Sequence, residues 1–549
     1  MMTDGLRIAA REERVTDYIL PVKICLAEGE LIHAETLLRS KPLQVTTREE
    51  DYFSVRGKAA IVLDFGKEIC GGVRILAFRA GCSVRLRFGE SLSETCSETG
   101  PGKTATNDHA ARDFTVTLPF MSDQRFGQTG FRFLRIDFFE GTQLDIVAVV
   151  GAFEHLNLSP RGSFRCSDPL LNEIYDVAAY TVSLCMQSML WDGIKRDRLV
   201  WIGDMHPETM AIHALYGHHD LVTRSLAFEK QRSPLPLFMN GKATYSLWWL
   251  CIVADEYMQN GDQMFLRENI DYIVELIDLV AAAVDHTGML IFSNERNDYF
   301  LDWPTFGYEE RKAGVQALCA YALQKIKPFL PQSAARTAEQ ILIGLNKNAD
   351  GGRFKQVAAL KALAGHLSGQ DAAATILRGG ASGLSTFMSY YIFSALSESG
   401  KTREALSMLR EYYGGMLGRG ATTFWEDFDI AWLKNSGRID SLPAEGEKDI
   451  HGDFGAYCYK GYRHSLCHGW AGGPVPYLAH YVLGVKPLQP GYVSVEIHPD
   501  LGGLEYAEGT IPTPRGDLKV LHRRCRGEII TEVEAPQGIT VERGNSAGR

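Results

Sequence analysis

What this chain lacks narrows its reading first. Its 549 residues contain no run approaching the roughly 20 apolar residues that cross a bilayer, so no membrane-spanning protein is expected. The opening MMTDGLRIAAREERVTDY carries acids and has no apolar core, so it does not read as a secretory leader. Basic charge is not in excess. There are 57 Lys and Arg against 67 Asp and Glu, for a net charge of −10, which argues against a nucleic-acid partner. The eleven cysteines are odd in number, scattered from Cys25 to Cys525, and form no CxxC pair. Free thiols in a reducing cytoplasm are therefore expected rather than a disulfide framework. HExxH, GxSxG and the phosphate-binding P-loop are all missing. The adjacent His218 and His219 have no acid or thiol partners at ligand spacing, so neither a metal nor a cofactor is expected. Tryptophan is missing from both ends, all eight lying between Trp191 and Trp470.

The chain divides by pattern into three expected domains, 1–163, 164–485 and 486–549. In the first, AAIVLDFGKEICGGVRILAF, CSVRLRFGESL, DFTVTLPF, FRFLRIDFF and LDIVAVVGAF alternate apolar with polar residues and break at glycines. That spacing predicts a β-sandwich. The character then changes. Ser167 is expected to cap a helix that begins at Pro169. Helical periodicity follows in MFLRENIDYIVELIDLVAAAVD, AGVQALCAYALQKIKPFL, SAARTAEQILIGLNK and TREALSMLREYYGGML. The middle segment could hold roughly twelve such helices as antiparallel pairs. They could close into a toroid or run as a solenoid, although no repeat favours the solenoid. After KPLQPGY, the segments YVSVEIHPD, DLKVLHRR and EIITEVEAP predict a small C-terminal β-domain, with the tail ERGNSAGR frayed. The fold class expected is thus multidomain α+β.

Chemistry-bearing residues cluster in the helical segment. WDGIKRDRLVWIGD packs Asp192, Asp197 and Asp204 among Arg196, Arg198, Trp191 and Trp201. Carboxylates move protons, arginines hold hydroxyls and charge, and an indole covers the C–H face of a sugar. The competing reading is a surface helix with alternating charge. GATTFWEDFDIAW offers Glu426 beside Trp425, with Trp432 close by. It reads either as a loop that projects one carboxylate or as a helix start capped by Thr422 or Thr423. SNERNDYFLDWPTFG repeats the acid–indole pairing at Asp302 and Trp303, and Pro304 makes it a loop. HSLCHGWAGGP contributes His468 and Trp470, and ATYSLWWLCIVADEY contributes Tyr245, Trp248 and Trp249 near a helix start.

Together these motifs resemble the α-L-rhamnosidases of glycoside hydrolase family 78. The family signature runs approximately D-C-P-Q-R-E-R-x-G-W-x-G-D, and Asp192, Arg196, Arg198, Trp201, Gly203 and Asp204 fall in register with it. GATTFWEDF is similar to GATTxWERW, DYFLDW to Y-G-D-W, and SLCHGWAGGPVPYL to S-x-N-H-x-x-x-G-x-V. LDFGKEICGGVRI and GFRFLRI are similar to the family's N-terminal β-domain. The resemblance spans roughly residues 55–520. It implies an (α/α)6 barrel flanked by an N-terminal β-sandwich and a small C-terminal β-domain. It also implies inverting hydrolysis of terminal α-L-rhamnosides, on small rhamnosyl glycosides or oligosaccharides. The general acid would be Asp197 and the general base Glu426. Asp192, Arg196, Trp201, Asp204, Asp302, Trp303 and His468 would bind the sugar, with Trp249, Trp425 and Trp432 as further stacking candidates. This chain departs from the signature in several places. Asp197 replaces its Glu, Gly193-Ile194-Lys195 replaces Cys-Pro-Gln, Asp427 replaces the Arg after the base, and Cys467 replaces the Asn before His468. Two other readings stay open: an (α/α)6 enzyme for another deoxy-sugar or a uronic acid, and a carbohydrate-binding homologue without turnover. The oligomeric state is open, with a homodimer among those allowed.

Overall fold

The computed structural model describes residues 13–47, 52–98, 112–347, 353–456 and 460–543. Residues 1–12 of the N-terminal stretch, and the tail beyond Arg543, lie outside the described residues.

The first part is built on one strand. Phe53–Arg79 runs 27 residues and pairs with Lys23–Ile32, Ser122–Phe138 and Gln143–Leu156. Its register against Ser122–Phe138 shifts between Asp64 and Ile69, where the sequence reads DFGKEI. Gly66 takes a φ of 83° there, and its N–H donates to Asp64 Oδ1 at 2.7 Å. A positive φ suits glycine, so the bend is written into the sequence. The shift lets one strand serve both halves of a continuous network of seven strands. Its interior is apolar and includes Ile61, Leu63, Ile75, Phe88, Phe131 and Ile136.

The helices that follow are of two kinds, in strict alternation. Pro169–Cys185, Asp220–Arg232, Gln263–Ala282, Gln332–Lys347, Gly369–Ile376 and Thr402–Gly418 each bury one stripe. In Gln332–Lys347 that stripe is Ala334, Ala338, Ile341 and Leu345, at three- and four-residue spacing. Between them lie helices buried nearly all round: Ile202–Tyr216, Ala243–Asn260, Tyr308–Ile326, Lys355–Leu363, Ser389–Glu398 and the short Pro474–Tyr477. A helix buried over most of its surface is lined by other elements, whereas the amphipathic ones keep one face towards solvent. Helical periodicity was expected to continue to residue 485. Instead, between Gly418 and Pro474 the described residues are mostly loop with short 3₁₀ turns, and helix resumes only at Pro474.

One local expectation is corrected, and one pair of open alternatives is decided. The cap of the helix beginning at Pro169 is Asp168, whose carboxylate accepts from Leu170 N and Leu171 N, while Ser167 Oγ accepts from Glu505 N. No helix starts at Thr422 or Thr423. Thr422 Oγ1 accepts from Glu68 N at 3.0 Å, and Thr423 Oγ1 donates to the Leu466 carbonyl at 2.7 Å.

Ser163–Cys166 pairs with Tyr506–Thr513, in a sheet completed by Gly516–Cys525 and Glu528–Glu534. Val485–Pro487, Ser494–Ile497 and Thr540–Arg543 form a second small sheet. No described helix is long and apolar enough to cross a membrane.

Candidate active site

A cavity of about 880 Å³ opens where four connecting segments meet. Residues 186–201, 233–242, 283–307 and 419–473 each lead from an amphipathic helix to the buried helix that follows it. In an alternating antiparallel set, all such connections emerge at the same end. Function-bearing side chains therefore gather there although they are far apart in sequence.

The first segment supplies the densest chemistry. Asp197 and Arg198 both hold φ near 54°, a region that L-residues avoid at a cost of roughly 1–2 kcal/mol each. Hydrogen bonds hold this conformation. Arg198 donates to the carbonyls of Ile194 and Gln128, and Leu199 N donates to Asp192 Oδ1 at 2.9 Å. Arg196 is buried. It donates Nε to the Arg463 carbonyl at 3.0 Å, one amino group to Asp197 Oδ1 at 3.0 Å, and the other to Glu426 Oε1. One guanidinium thus stands between the two carboxylates. They differ in depth: the Asp197 side chain is 22% exposed and that of Glu426 only 2%. Trp201 Nε1 also reaches Asp197, at 3.3 Å.

The helix Ile202–Tyr216 carries Asp204 in its first turn. Asp204 accepts from His468 Nε2 at 2.9 Å and from the Tyr245 hydroxyl at 3.3 Å. The segment bearing His468 is laid against the first loop, since Gly469 N donates to the Asp192 carbonyl at 2.8 Å. Asp302 accepts from Thr305 N at 3.0 Å and from Ser385 Oγ at 2.7 Å, which fixes its carboxylate at the cavity wall. Trp303 lies beside it, its ring 5.0 Å from Phe300.

Burial and neighbours sort these acids. Burial drives the Asp192 carboxyl well above its usual range, with Asp204 and Asp197 adding to it. Burial also raises Asp204 and Asp302. Burial opposes ionisation of Glu426 as well, but Arg196, then His468 and His464, outweigh it and hold this carboxyl below the ordinary value. His468 moves the other way. Burial opposes its charge, yet Glu426, Asp204 and Asp192 raise its pKa. Burial pushes Asp427 up to about 7. At the floor, then, the Glu426 carboxyl is shifted towards its ionised form and His468 towards its charged form, while burial shifts Asp192, Asp204 and Asp302 towards their neutral forms.

Asp192, Arg196, Asp197, Trp201, Asp204, Asp302, Trp303, Glu426 and His468 all line this cavity. Three expected stacking rings do not. Trp249 is fully buried in Ala243–Asn260 and meets Tyr272 edge-on, so it packs helix against helix. Trp425 is buried against Phe428 and His464. Trp432 stacks on Phe454 at 5.5 Å. The lining also includes residues not singled out as site residues. Trp470 donates Nε1 to the Glu426 carbonyl at 2.9 Å, and its indole was already visible two residues after His468. Lys242 and Tyr245 open the helix that carries the two adjacent tryptophans. Arg296, Arg311 and Arg463 carried no local signal.

Glu90, Glu94 and His451 come close enough together to hold a cation. The ammonium of Lys195 stands among them, 2.9 Å from Glu90 and 3.2 Å from Glu94. His451 is engaged on both nitrogens, by Ser91 Oγ and the His464 carbonyl. The charge a metal would supply is already present as lysine.

Comparison with known proteins agrees with this geometry. Residues 159–327 match the family model of the bacterial alpha-L-rhamnosidase six-hairpin glycosidase domain. The matched range includes Asp192, Arg196, Asp197, Trp201, Asp204, Asp302 and Trp303. Residues 484–542 match the bacterial alpha-L-rhamnosidase C-terminal domain. The chain is 24% identical to an alpha-L-rhamnosidase of Alteromonas sp. (strain LOR), over 89% of this chain and 56% of that protein. Its fold is similar to a GH78 family rhamnosidase of Bacillus sp. GL1, with a TM-score of 0.70, 20% identity, and coverage of 93% of this chain and 55% of that one. A rhamnosidase from Klebsiella oxytoca, solved with rhamnose bound, gives a TM-score of 0.67 at 20% identity, covering 85% and 96%. The chain is similar in sequence to alpha-L-rhamnosidases and shares the fold of a GH78 family rhamnosidase. It spans little more than half the length of the Alteromonas and Bacillus relatives.

Proposed function

We propose that this protein is an inverting exo-α-L-rhamnosidase acting on small rhamnosyl glycosides or oligosaccharides. The observation that carries the reading is the Asp197–Arg196–Glu426 bridge at the cavity. In a blind cavity the terminal sugar occupies the floor and the leaving group faces solvent. An acid that protonates the leaving oxygen belongs nearer the mouth, and a base that activates water on the far ring face belongs deeper. Asp197 is the more exposed carboxylate and Glu426 the more buried. Glu426 is also held ionised, as a base must be. Inverting enzymes keep their carboxyls roughly 6.5–9.5 Å apart to admit the water, and an intervening guanidinium serves that separation. Asp192, Asp204, His468 and Asp302 supply hydrogen bonds to sugar hydroxyls. Trp201, Trp303 and Trp470 supply apolar faces.

The alternation of six buried with six amphipathic helices supports an (α/α)6 barrel over 164–485, with a β-sandwich over 1–163 and a β-domain over 486–549. The described cysteines are free thiols, which favours a reducing, cytoplasmic compartment.

An aryl α-L-rhamnoside tests the reading. Asp197→Asn and Glu426→Gln are each expected to lower turnover by roughly 10²–10⁴-fold in folded protein. Proton NMR of the first product should show the β-anomer. Release of the α-anomer first, or near-normal turnover in either variant, would overturn the mechanism. Binding of rhamnose without any turnover would favour a sugar-binding homologue instead.

A further inference from the structure

Glu90 is a buried acid that the proposed chemistry leaves unused. It follows the strand Cys82–Gly89 and precedes the short helix Leu92–Cys96, and its side chain is fully buried and outside the cavity lining. Burying a carboxylate is costly unless partners compensate. Among the described residues, the partners of this one all come from outside the strand part. Oε2 accepts from Leu466 N at 2.7 Å and stands 2.9 Å from the Lys195 ammonium. Ser465 Oγ has one proton and two acceptors in reach, the Cys467 carbonyl at 3.0 Å and Glu90 Oε1 at 3.3 Å. The strand part fixes the Glu90 backbone instead, since its N–H donates to Glu94 Oε2 at 2.8 Å. The segment that Glu90 holds is bonded in turn to Glu426. Glu426 N donates to the Ser465 carbonyl at 3.0 Å, and Ser465 N donates back to Glu426 Oε2 at 3.3 Å. Arg196 engages the other oxygen, Oε1. Two residues further on, His468 N donates to the Phe424 carbonyl at 3.1 Å.

We propose that Glu90 is a positioning residue of the site, holding Ser465 and Leu466 so that Ser465 N meets the Glu426 carboxylate and His468 meets Asp204. This rests on the reading of Glu426 as the base. The strand part then shapes the chemistry without touching the sugar. What Leu466 N and Ser465 need from Glu90 is an acceptor in place rather than a charge. Gln keeps an oxygen for Leu466 N and Lys195, and its amide donates to Ser465 Oγ, which leaves the hydroxyl proton for the Cys467 carbonyl. Asp keeps the charge beside Lys195 but ends one methylene short of Leu466 N. Glu90 itself is faced by Lys195, Glu94 and Glu68, with Arg112 and His451 beside Glu94, and both substitutions leave these groups in the chain.

The test measures kcat and kcat/KM against pH on an aryl α-L-rhamnoside, with thermal unfolding of each variant alongside. In folded Glu90→Asp, kcat is expected to fall by about 10–10²-fold, the scale of loss that a misplacement near 1 Å brings. Glu426 is faced by Arg196 from the first segment and by His464 and His468 from the last, with Asp204 and Asp427 as nearby acids. Loosening residues 464–468 withdraws Ser465 N and His468 while Arg196 stays, so the pKa of Glu426 rises. Activity is lost as pH falls through that pKa, so the acidic limb of kcat/KM moves to higher pH. Glu90→Gln should keep most of the parent's kcat, with the limb in place. Parental kcat in Glu90→Asp, a lower kcat with an unmoved limb, or a Gln variant as impaired as the Asp variant overturns the proposal. Should Glu90→Asp not fold, Ser465→Ala decides, because it removes one contact of the link and leaves the acids untouched. The same upward shift of the limb supports the proposal, and an unmoved limb overturns it. If the parent hydrolyses no rhamnoside, the reading of Glu426 as base has failed by itself. Calorimetric titration with rhamnose then decides the positioning. Weaker binding in Glu90→Asp, regained in Glu90→Gln, supports it, and equal binding overturns it.

Discussion

Arg196 is the residue on which the proposed chemistry turns. It is the largest favourable influence on the ionisation of Glu426, against the burial that opposes it. With an ionised base, activity is present above the base's pKa and lost as pH falls through it. Arg196→Met removes the guanidinium and leaves burial less opposed, so the pKa of Glu426 rises. The acidic limb of the kcat/KM profile on an aryl rhamnoside should accordingly move to higher pH, along with a drop in kcat. A lower kcat with an unmoved limb would mean that Arg196 holds geometry only. The residues at this scale were largely legible. Nine of the expected lining side chains were named by motif, because carboxylates, arginines and indoles at fixed spacing carry recognisable chemistry. Trp249, Trp425 and Trp432 misled because an indole looks the same in sequence whether it faces a ligand or another helix.

At the scale of elements, the site depends on close approach between segments. Gly469 is the clearest case. A Cβ there would stand 1.3 Å from Glu208 Oε1, within a helix whose fifteen residues are all buried. Burial keeps the Glu208 carboxyl well above its usual range, and neither of its oxygens has a partner. Gly469→Ala should therefore push the His468 segment off Asp192 and Asp204. Overpacking of this kind typically costs roughly 1–3 kcal/mol, visible as a lower midpoint of thermal unfolding. Glu208→Ala in the same chain makes room and should recover part of the loss. A double variant no more stable than Gly469→Ala would assign the defect elsewhere. Helix positions followed from periodicity, whereas the long loop 419–473 did not. Its aromatic and small residues resemble helix locally, but its hydrogen bonds go to distant partners such as Glu68, Glu90 and Asp192.

At the scale of the molecule, Lys195 ties the strand half to the loops that line the cavity. Its ammonium reaches Glu90 and Glu94 from the first part and the carbonyls of Tyr462 and His464 from the last loop. Burial raises Glu90 to about 7 despite Lys195 beside it. Lys195→Met would leave Glu90 buried without its cation, a change that typically costs roughly 3–5 kcal/mol, while Glu94 keeps Arg112. Calorimetry should show a clearly lower unfolding temperature. A variant that unfolds where the parent does would show that the cluster does not join the two halves energetically.

Taken by itself, the sequence determined the element types, their order and the stretch where the chemistry sits. Those depend on spacing along the chain: period two or 3.6, glycine at bends, and motif residues in fixed register. Only the tertiary structure decided which tryptophans face the cavity, which carboxylate is ionised and where the cations gather. Those depend on neighbours from elsewhere in the chain. Arg196 and Glu426 are 230 residues apart, and the guanidinium helps to hold the Glu426 carboxyl below its ordinary range. Arg296 and Arg463 line one cavity because their two connections emerge at the same end of the helices.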